Sequence, residues 1–143
     1  MSDKLDVVGI GNAMVDAIIP SNQNEIEKHE INRDSMNLID ENLKNNLHES
    51  YSIREMAGGG SLGNSMFGIT SFGGNGSFIG KIKNDEIGVY LQKDMMREGL
   101  KFPLGFTSPD ISTGCCTIFV EEDGTRTMCT FLGAGTLIGP EDI

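Results

Sequence analysis

Positive charge and long apolar runs are both scarce in this sequence. Lys and Arg number 11 against 21 Asp and Glu, which gives a formal net charge of -10. This deficit excludes nucleic acid or an anionic membrane as the main partner, because binding phosphates requires an excess of basic residues. No apolar run approaches the roughly 18 residues of a membrane helix, and the N-terminus lacks the apolar segment of a signal peptide. We therefore expect a soluble, cytoplasmic protein, and the charge does not exclude a small anionic ligand.

Cysteine is also rare, and its spacing indicates neither a metal centre nor a disulfide framework. Three cysteines, Cys115, Cys116 and Cys129, lie late in the chain. Two adjacent cysteines and one apart do not match zinc-ligand spacing, and three cannot pair completely. They are typical of free thiols in a reducing cytosol. His29 and His48 lie in polar helical stretches, so we expect both to be solvated and predict no metal site.

Glycine is the residue in excess, with 19 in a chain of 143 residues. The glycines are not periodic in threes, which excludes a collagen-like chain. They cluster at 58–60, 73–76 and 133–135, where tight turns or close approaches of the backbone are expected. The length fits one ordinary domain with a sizeable core.

The hydrophobic pattern predicts an alternation of strands and helices that is typical of an α/β protein. Asp40 is expected to cap a helix, Asp123-Gly124 to turn a hairpin, and Pro140 to begin a final helix. Strands are predicted at 5–10, 13–19, 35–39, 77–79, 113–120 and 125–131, and helices at 22–30, 41–48, 61–72 and from Asp85 to just before Gly99.

One charge, Asp16, interrupts the apolar strand predicted at 13–19. A carboxylate in such a strand is unfavourable unless it is paired or faces a wet cleft. At this level two interpretations stay open: an acid that binds a ligand, or an acid on the solvent side of an amphipathic strand.

The strongest local feature is the run Gly58–Asn64, which stands directly before a predicted helix. Consecutive glycines let a ligand approach the main chain, and a helix start offers unpaired N–H donors. The alternative is a glycine-rich turn without a ligand. The run is not a Walker loop, and Gly9 and Gly11 lack the third glycine of a dinucleotide fingerprint because Met14 stands there.

Several stretches, in order, resemble the ribokinase-like carbohydrate kinases, also called phosphofructokinase-B-type kinases. They are Val8–Asp16, Met56–Ser65 and Phe72–Gly88, of which the last two are similar to the first signature of that family. Ser35–Asp40 and Gly124–Ala134 resemble the adenosine-kinase-like branch. Members phosphorylate a hydroxymethyl group of a sugar or nucleoside with ATP and a divalent cation such as Mg²⁺.

The resemblance implies a fold and a division of the chain. We expect residues 1–143 to form the N-terminal part of a ribokinase-like three-layer α/β/α domain, with a mostly parallel sheet and a small β-sheet lid. The lid strands would lie at about 12–20, 34–39, 113–121 and 125–131, and the remaining residues would belong to the α/β core.

The same resemblance implies a set of polar substrate contacts. Asp16 would hold two vicinal ring hydroxyls, a task that suits a carboxylate because it accepts two hydrogen bonds side by side. Asn12 stands close to it in the same motif. Gly59, Gly60 and Asn64 match the Gly-Gly-x-x-x-Asn pattern that contacts the sugar in the family.

The remaining contacts implied by the resemblance lie on the lid. Met14, Leu38 and Met128 fall where apolar side chains wall the substrate, although ordinary packing within the lid is an alternative. Arg126 matches a family arginine near the lid, and it could equally brace the acidic turn at 121–123.

Two departures from the family pattern concern catalysis. Gly133–Thr136 has Thr where the Gly-Ala-Gly-Asp segment carries the catalytic base, and Asn22-x-x-Glu25 comes too early to be the metal-associated motif. We therefore expect the base and the ATP pocket to lie beyond Ile143. The chain alone is then expected to bind no ATP or Mg²⁺ and to have no kinase activity.

The expected ligand is adenosine first and a free sugar such as ribose or fructose second. The alternative function is a non-catalytic sugar-binding, nucleoside-binding or dimerisation module on the same scaffold. An open parallel sheet edge favours pairing with another chain, so a homo-oligomer through the lid sheet or the unfinished core edge is also expected.

Overall fold

A computed structural model describes residues 4–143 of the chain. It contains nine strands, four α-helices and two short 3₁₀ turns within that range, in a mixed α/β order. They are β1 Val7–Ile10, β2 Met14–Pro20, α1 Gln23–Glu27, β3 Met36–Leu38, α2 Glu41–Ser50, β4 Glu55–Gly59, α3 Ser61–Ser71, β5 Gly76–Ile79, β6 Ile82–Lys83, α4 Glu86–Arg97, β7 Phe106–Ser108, β8 Gly114–Val120, β9 Arg126–Phe131, and 3₁₀ turns at Gly133–Leu137 and Pro140–Asp142.

Five strands form one sheet in the order β3-β9-β8-β2-β4. The hairpin of β8 and β9 is antiparallel, as is the pair β2–β4, whereas β2–β8 and β3–β9 are parallel. Gly124, in the turn of the hairpin, has a positive φ of 87°, a conformation that glycine adopts without strain. Two further parallel pairs, β1–β5 and β6–β7, lie outside this sheet.

The pleat of the five-stranded sheet puts alternate residues on two faces. One face packs against α1, α2 and α4, and it carries Val15, Ala17, Ile19, Phe119 and Cys129, all at most 1% exposed. The opposite face, called the open face below, is more accessible towards its β3 edge, where Leu38 is 66% exposed. The open face carries Met14, Asp16, Ile18, Met36, Leu38, Ala57, Gly59, Cys116, Ile118, Arg126, Met128 and Thr130.

The second part of the molecule is built on the parallel pair β1–β5 with α3 and α4. Its core joins Phe78 of β5 to Met66 of α3 and to Leu91 and Met95 of α4, each at most 1% exposed. Val15 of β2 also belongs to this core, so the five-stranded sheet and the β1–β5 unit pack on one another.

Three of the four helices begin at a side-chain cap. Asn22 accepts from Glu25 N, Asp40 from Leu43 N and Asp85 from Gly88 N, which satisfies N–H groups that the helix leaves unpaired. Asp85 also accepts from Thr113 N at 2.9 Å, so the start of α4 is tied to the residue before β8. Helix α3 begins at Gly60 and has no side-chain cap.

Two predicted elements differ from the structure. The glycines at 58–59 end a fifth strand of the sheet, β4, rather than forming a turn. The final α-helix is replaced by two 3₁₀ turns, because Gly133, Gly135 and Gly139 interrupt a segment already poor in helix formers.

The histidines also differ from the expectation of solvation. His48 is half-buried, and its Nε2 is 2.8 Å from Thr117 Oγ1. His29 Nε2 lies 2.8 Å from Tyr51 Oη. His48 therefore helps to fix α2 against β8, and His29 joins the segment after α1 to the end of α2. The three cysteines are free thiols, as predicted.

Candidate functional site

Asp16 lies near the middle of the open face and points at Gly59. It stands opposite Ala57 on β4 and Cys116 on β8, and a methyl group on Gly59 would overlap its carboxyl group. Burial raises the pKa of Asp16 above its ordinary value. Within residues 4–143 the carboxyl group has no hydrogen bond or ion pair. A partly desolvated carboxylate without a protein partner is available to accept hydrogen bonds from a ligand.

Each of the three consecutive glycines excludes a side chain for a different structural reason. At Gly58 a methyl group would lie 2.8 Å from Asp94 Oδ2 and from Phe67 Cζ, and at Gly59 it would overlap Asp16. Gly60 has a φ of 79°, which is the left-handed region that favours glycine. The backbone therefore passes between α4 on one side and Asp16 on the other, with no space for side chains.

The start of α3 leaves N–H donors unused beside this strand. Gly60, at the N-cap position, has no side chain to accept from them. Asn64 follows one turn later, and its backbone N–H donates to Gly60 O at 2.9 Å. Within the described residues the side chain of Asn64 has no hydrogen bond, and it is exposed. Asp16, Gly59 and Gly60 are thus brought together, with the Asn64 side chain one helical turn away.

Asn12 lies next to both Gly60 and Gly135. A methyl group on Gly60 would lie 3.7 Å from Asn12 O, and one on Gly135 would lie 3.1 Å from Asn12 Oδ1. The Asn12 side chain is exposed and, within residues 4–143, makes no hydrogen bond. Sequence reasoning missed the role of Gly135 in making room for Asn12, because nothing in the local pattern connects the two segments.

The apolar residues implied by the family resemblance all lie on the open face. Met14 is 7% exposed and touches the position of Gly60, where a methyl group would meet its Cγ at 3.1 Å. Leu38 lies in the same row across the sheet as Asp16, three strands away, which is roughly 14 Å. Met128 is two strands away, in the next row, at roughly 10 Å.

Arg126 does not brace the acidic turn. The side chain that does so is Arg33, whose Nε is 2.7 Å from Glu121 Oε1 and whose Nη2 is 3.0 Å from Oε2. Arg126 is exposed and has no ion pair within the described residues. It lies on the open face four residues along β9 from Thr130, roughly 13 Å away.

Helix α4 contacts the glycine strand from the covered face, a feature that the sequence analysis missed. Gly58 N donates to Asp94 Oδ2 at 2.9 Å, and Tyr90 Oη donates to Met56 O. Burial raises the pKa of Tyr90, so its hydroxyl keeps the proton that it donates. Asp94 is 6% exposed. The signal available in the sequence was Asp94 itself, an acidic residue on the apolar side of an amphipathic helix.

The cysteines near Asp16 are not activated nucleophiles. Burial raises the pKa of Cys115 to about 12 and that of Cys129 to about 11, and it also raises the pKa of Cys116. The thiols therefore stay protonated at neutral pH and are poor nucleophiles. Their role is packing within the sheet.

The cavities of the described residues do not coincide with the surroundings of Asp16. One of about 640 Å³ lies between α2 and α4 and is lined by Lys44, His48 and Glu86 among others; none of the predicted site residues lines it. A smaller one of about 280 Å³ lies at the edge of the open face, beside Leu38 and Thr130. We place the candidate site at Asp16 rather than in the larger cavity, because the unpartnered polar groups converge there.

The described residues contain no group of three or more His, Cys, Asp or Glu side chains that could hold a metal ion. None of the helices between residues 4 and 143 is both long and apolar enough to cross a membrane.

The fold is ribokinase-like, which confirms the fold class expected from the sequence. Residues 4–142 match the model of the pfkB family of carbohydrate kinases, and the chain belongs to this family. The resemblance noted in the sequence motifs is therefore confirmed.

Solved structures that resemble the chain include a sugar kinase and adenosine kinases. An adenosine kinase from Sinorhizobium meliloti is 36% identical with a TM-score of 0.86, and the match covers 98% of this chain and 43% of that one. A probable sugar kinase protein from Rhizobium etli CFN 42 is 34% identical with a TM-score of 0.85, over 97% of this chain and 42% of the other. The chain thus spans about two fifths of the length of either. A comparison with curated proteins found no match.

A more distant structure shows how far the fold is shared. Adenosine kinase from Anopheles gambiae, in complex with P1,P4-di(adenosine-5) tetraphosphate, is 24% identical with a TM-score of 0.82. The match covers 94% of this chain and 41% of that one. At this level of identity the likeness concerns the fold alone.

Proposed function

We propose that this chain forms the substrate-binding part of a kinase that phosphorylates the hydroxymethyl group of a nucleoside, with adenosine favoured over a free sugar. The observation that carries the proposal is the Asp16 carboxylate, which has no protein partner among residues 4–143 and lies over Gly59 beside the uncapped start of α3. Its two oxygens would accept from two vicinal hydroxyls. The free N–H groups at the helix start would donate to ligand oxygens.

The open face supports a nucleoside over a single sugar ring. Apolar side chains lie on it at roughly 10 Å (Met128) and roughly 14 Å (Leu38) from the strand of Asp16. A ligand with hydroxyls at one end and a flat apolar ring at the other fits this separation of polar and apolar groups. The likeness to an adenosine kinase at 36% identity supports the same substrate class.

We also propose that the catalytic base and the ATP pocket of the enzyme lie outside this chain. Asp16 is the carboxylate that lies against Gly59, and it is occupied with hydroxyls in this proposal. The described residues offer no cluster of metal ligands for Mg²⁺. They therefore do not fit ATP with its cation, and we derive no step of phosphoryl transfer from them.

Calorimetric titration of the chain with adenosine and with 2′,3′-dideoxyadenosine tests the substrate site. Loss of two hydrogen bonds to a charged acceptor should weaken the dideoxy compound at least about 100-fold. Ribose and fructose, which lack the apolar ring, are expected to bind more weakly than adenosine. Equal affinity for adenosine and its dideoxy analogue would remove the role assigned to Asp16.

A turnover assay of the same preparation with ATP, Mg²⁺ and adenosine tests the second part of the proposal. We expect no ADP release above that of a blank without protein, because in this proposal Asp16 binds hydroxyls and the catalytic base lies outside the chain. Robust ADP release that requires adenosine would show that the chain is catalytically sufficient.

We further propose that the chain self-associates through β1. Val8 and Ile10 on one side of this strand are 49% and 45% exposed, and within the described residues β1 pairs only with β5. An apolar strand with an open edge pairs readily with a second copy. Light scattering at micromolar concentration should show a dimer or larger species, and Ile10→Lys should make it monomeric.

The matched control for self-association is Leu38→Lys on the open face. If dimerisation instead uses the open face of the five-stranded sheet, Leu38→Lys and not Ile10→Lys will be monomeric. A clean monomer for the unsubstituted chain would contradict both arrangements.

A further inference from the structure

Helix α4 grips the backbone of β4 at two points. Tyr90 Oη donates to Met56 O, and Asp94 Oδ2 accepts from Gly58 N at 2.9 Å. The two side chains are four residues apart on the helix, a rise of about 6 Å. The two backbone groups are two residues apart on the strand, a rise of about 6.6 Å. The spacings match, so the helix fixes the position of the strand along its own axis.

Asp94 is an unusual residue for its place. It is 6% exposed on a helix face whose neighbours Leu91 and Met95 are fully buried in the core. Burying a carboxylate lowers the stability of a fold unless its oxygens are hydrogen-bonded. Here one oxygen accepts from Gly58 N and the other from Arg97 Nη2. Because Arg97 belongs to the same helix, the hydrogen bond that joins Asp94 to another element of the fold is the one from Gly58 N.

The strand has no freedom around this contact. A methyl group on Gly58 would lie 2.8 Å from Asp94 Oδ2 and 2.9 Å from Phe67 Cε2, so the backbone lies directly against both side chains. The next two residues are Gly59, which faces the Asp16 carboxyl group, and Gly60, which begins α3. Whatever fixes Gly58 also fixes the two glycines that stand at the candidate site.

We propose that Asp94, assisted by Tyr90, is a positioning residue for substrate binding. It holds the Gly58 amide so that Gly59 and Gly60 present their backbone to the ligand at the height of Asp16. Asp94 lies on the covered face and does not touch the ligand. This inference rests on the proposed function of the same site, because it assigns a part in ligand binding to a residue behind the site.

Calorimetric titration with adenosine of Asp94→Ala, Asp94→Asn and Arg97→Ala tests the proposal. Without its acceptor, the Gly58 amide should leave its place, and the fraction of molecules with a competent strand should fall to about one in ten. The apparent affinity of Asp94→Ala would then fall about tenfold. Asp94→Asn keeps an oxygen acceptor and should bind as the wild type does. Arg97→Ala removes the guanidinium partner of Asp94 Oδ1 and of Glu98 but keeps the bond from Gly58 N to Asp94 Oδ2, so it should also leave affinity unchanged.

All titrations are made at a temperature at which circular dichroism shows each variant to be folded. Affinity lost in Asp94→Ala and recovered in Asp94→Asn supports a positioning role. Equal affinity of Asp94→Ala and wild type overturns it, and equal losses in the Ala and Asn variants overturn it as well.

Amide hydrogen exchange of the ligand-free protein separates this proposal from the proposed function. Gly58, Gly59 and Gly60 should exchange faster in Asp94→Ala than in wild type, while Asp94→Asn and Arg97→Ala should not differ from wild type. If wild type binds no adenosine but this pattern appears, the proposed function fails and the role of Asp94 in setting the glycine strand stands. If exchange at these glycines is unchanged, the proposal fails whatever the affinity for adenosine.

If Asp94→Ala does not fold, Tyr90→Phe is used in its place for the exchange and affinity measurements. It removes only the bond to Met56 O, and we expect faster exchange at Gly58–Gly60 with affinity lowered about threefold. Unchanged exchange and unchanged affinity in Tyr90→Phe would then overturn the proposal.

Discussion

Asp16→Asn is expected to weaken adenosine binding at least about 100-fold. The amide keeps the size of the side chain but removes the charge and leaves one oxygen where two accepted hydroxyls. Calorimetric titration measures the loss. The same substitution is expected to make the ligand-free protein more stable to unfolding at neutral pH, because folding partly desolvates the Asp16 carboxylate and raises its pKa.

The pH dependence of this stability gain has a definite sign. Below the ordinary pKa of 3.8 the carboxyl group is neutral in the folded and unfolded chains alike. As pH rises from there through the raised pKa of the folded state, the folded chain binds more protons than the unfolded chain, so the wild type loses stability. The advantage of Asp16→Asn should therefore be larger at pH 7 than at pH 4, as measured by urea unfolding.

Asp110→Asn, which removes an exposed carboxylate from a loop, is the matched control. It should change neither the affinity for adenosine nor the pH dependence of stability. Two results for Asp16→Asn would count against the assignment. One is unchanged affinity for adenosine, and the other is lower stability than the wild type at pH 7.

Gly59→Ala should damage the same site by a steric route. The added methyl group would overlap the Asp16 carboxyl carbon and both of its oxygens, so either Asp16 rotates away or β4 moves. We expect adenosine affinity to fall at least about 30-fold and the free energy of unfolding to fall by about 1–3 kcal/mol. Calorimetry and urea unfolding measure the two effects.

Gly68→Ala is the control for replacing a glycine near this site. Gly68 lies within α3, and a methyl group there would have no neighbour within 4 Å. It should leave affinity unchanged and stabilise the chain by about 0.5–1 kcal/mol. If Gly59→Ala acts through Asp16, it should add little to the affinity loss in an Asp16→Ala background. Full additivity of the two losses would show that the methyl group acts elsewhere.

Local patterns predicted those elements whose signals lie within a few residues of one another. Asp40 and Asp85 cap helices as their position before an amphipathic run indicates, and Asp123-Gly124 lies in the turn of a hairpin. The strand around Asp16 was also predictable, because its β-branched and small apolar residues favour an extended chain.

The glycine strand shows what local patterns do not contain. Its composition indicated a turn, yet residues 55–59 pair with β2 as an edge strand. What makes it a strand is non-local: Asp94 accepts from Gly58 across 36 residues of sequence, and the side chain that excludes a methyl group from Gly59 comes from β2. Tertiary contacts outweigh the low strand propensity of glycine here.

The sequence singled out the residues of the candidate site but not all of their surroundings. It named Asp16, Gly59 and Gly60, and the structure places the Asp16 carboxyl group against Gly59, the residue before Gly60. The sequence did not indicate that Arg33 rather than Arg126 would form the ion pair with Glu121. That pairing depends on β3 lying next to β9. Pairing between distant strands is set by the whole sheet and leaves little trace in either strand alone.

The two faces of the five-stranded sheet imply that recognition and folding can change independently in this protein. Leu38 and Met128 lie on the open face, whereas Phe119 and Cys129, on the same or neighbouring strands, are buried on the other. Substitutions at alternate positions of one strand are therefore expected to have different effects. Under the proposed function, those on the open face change ligand binding, whereas those on the other face change the hydrophobic core.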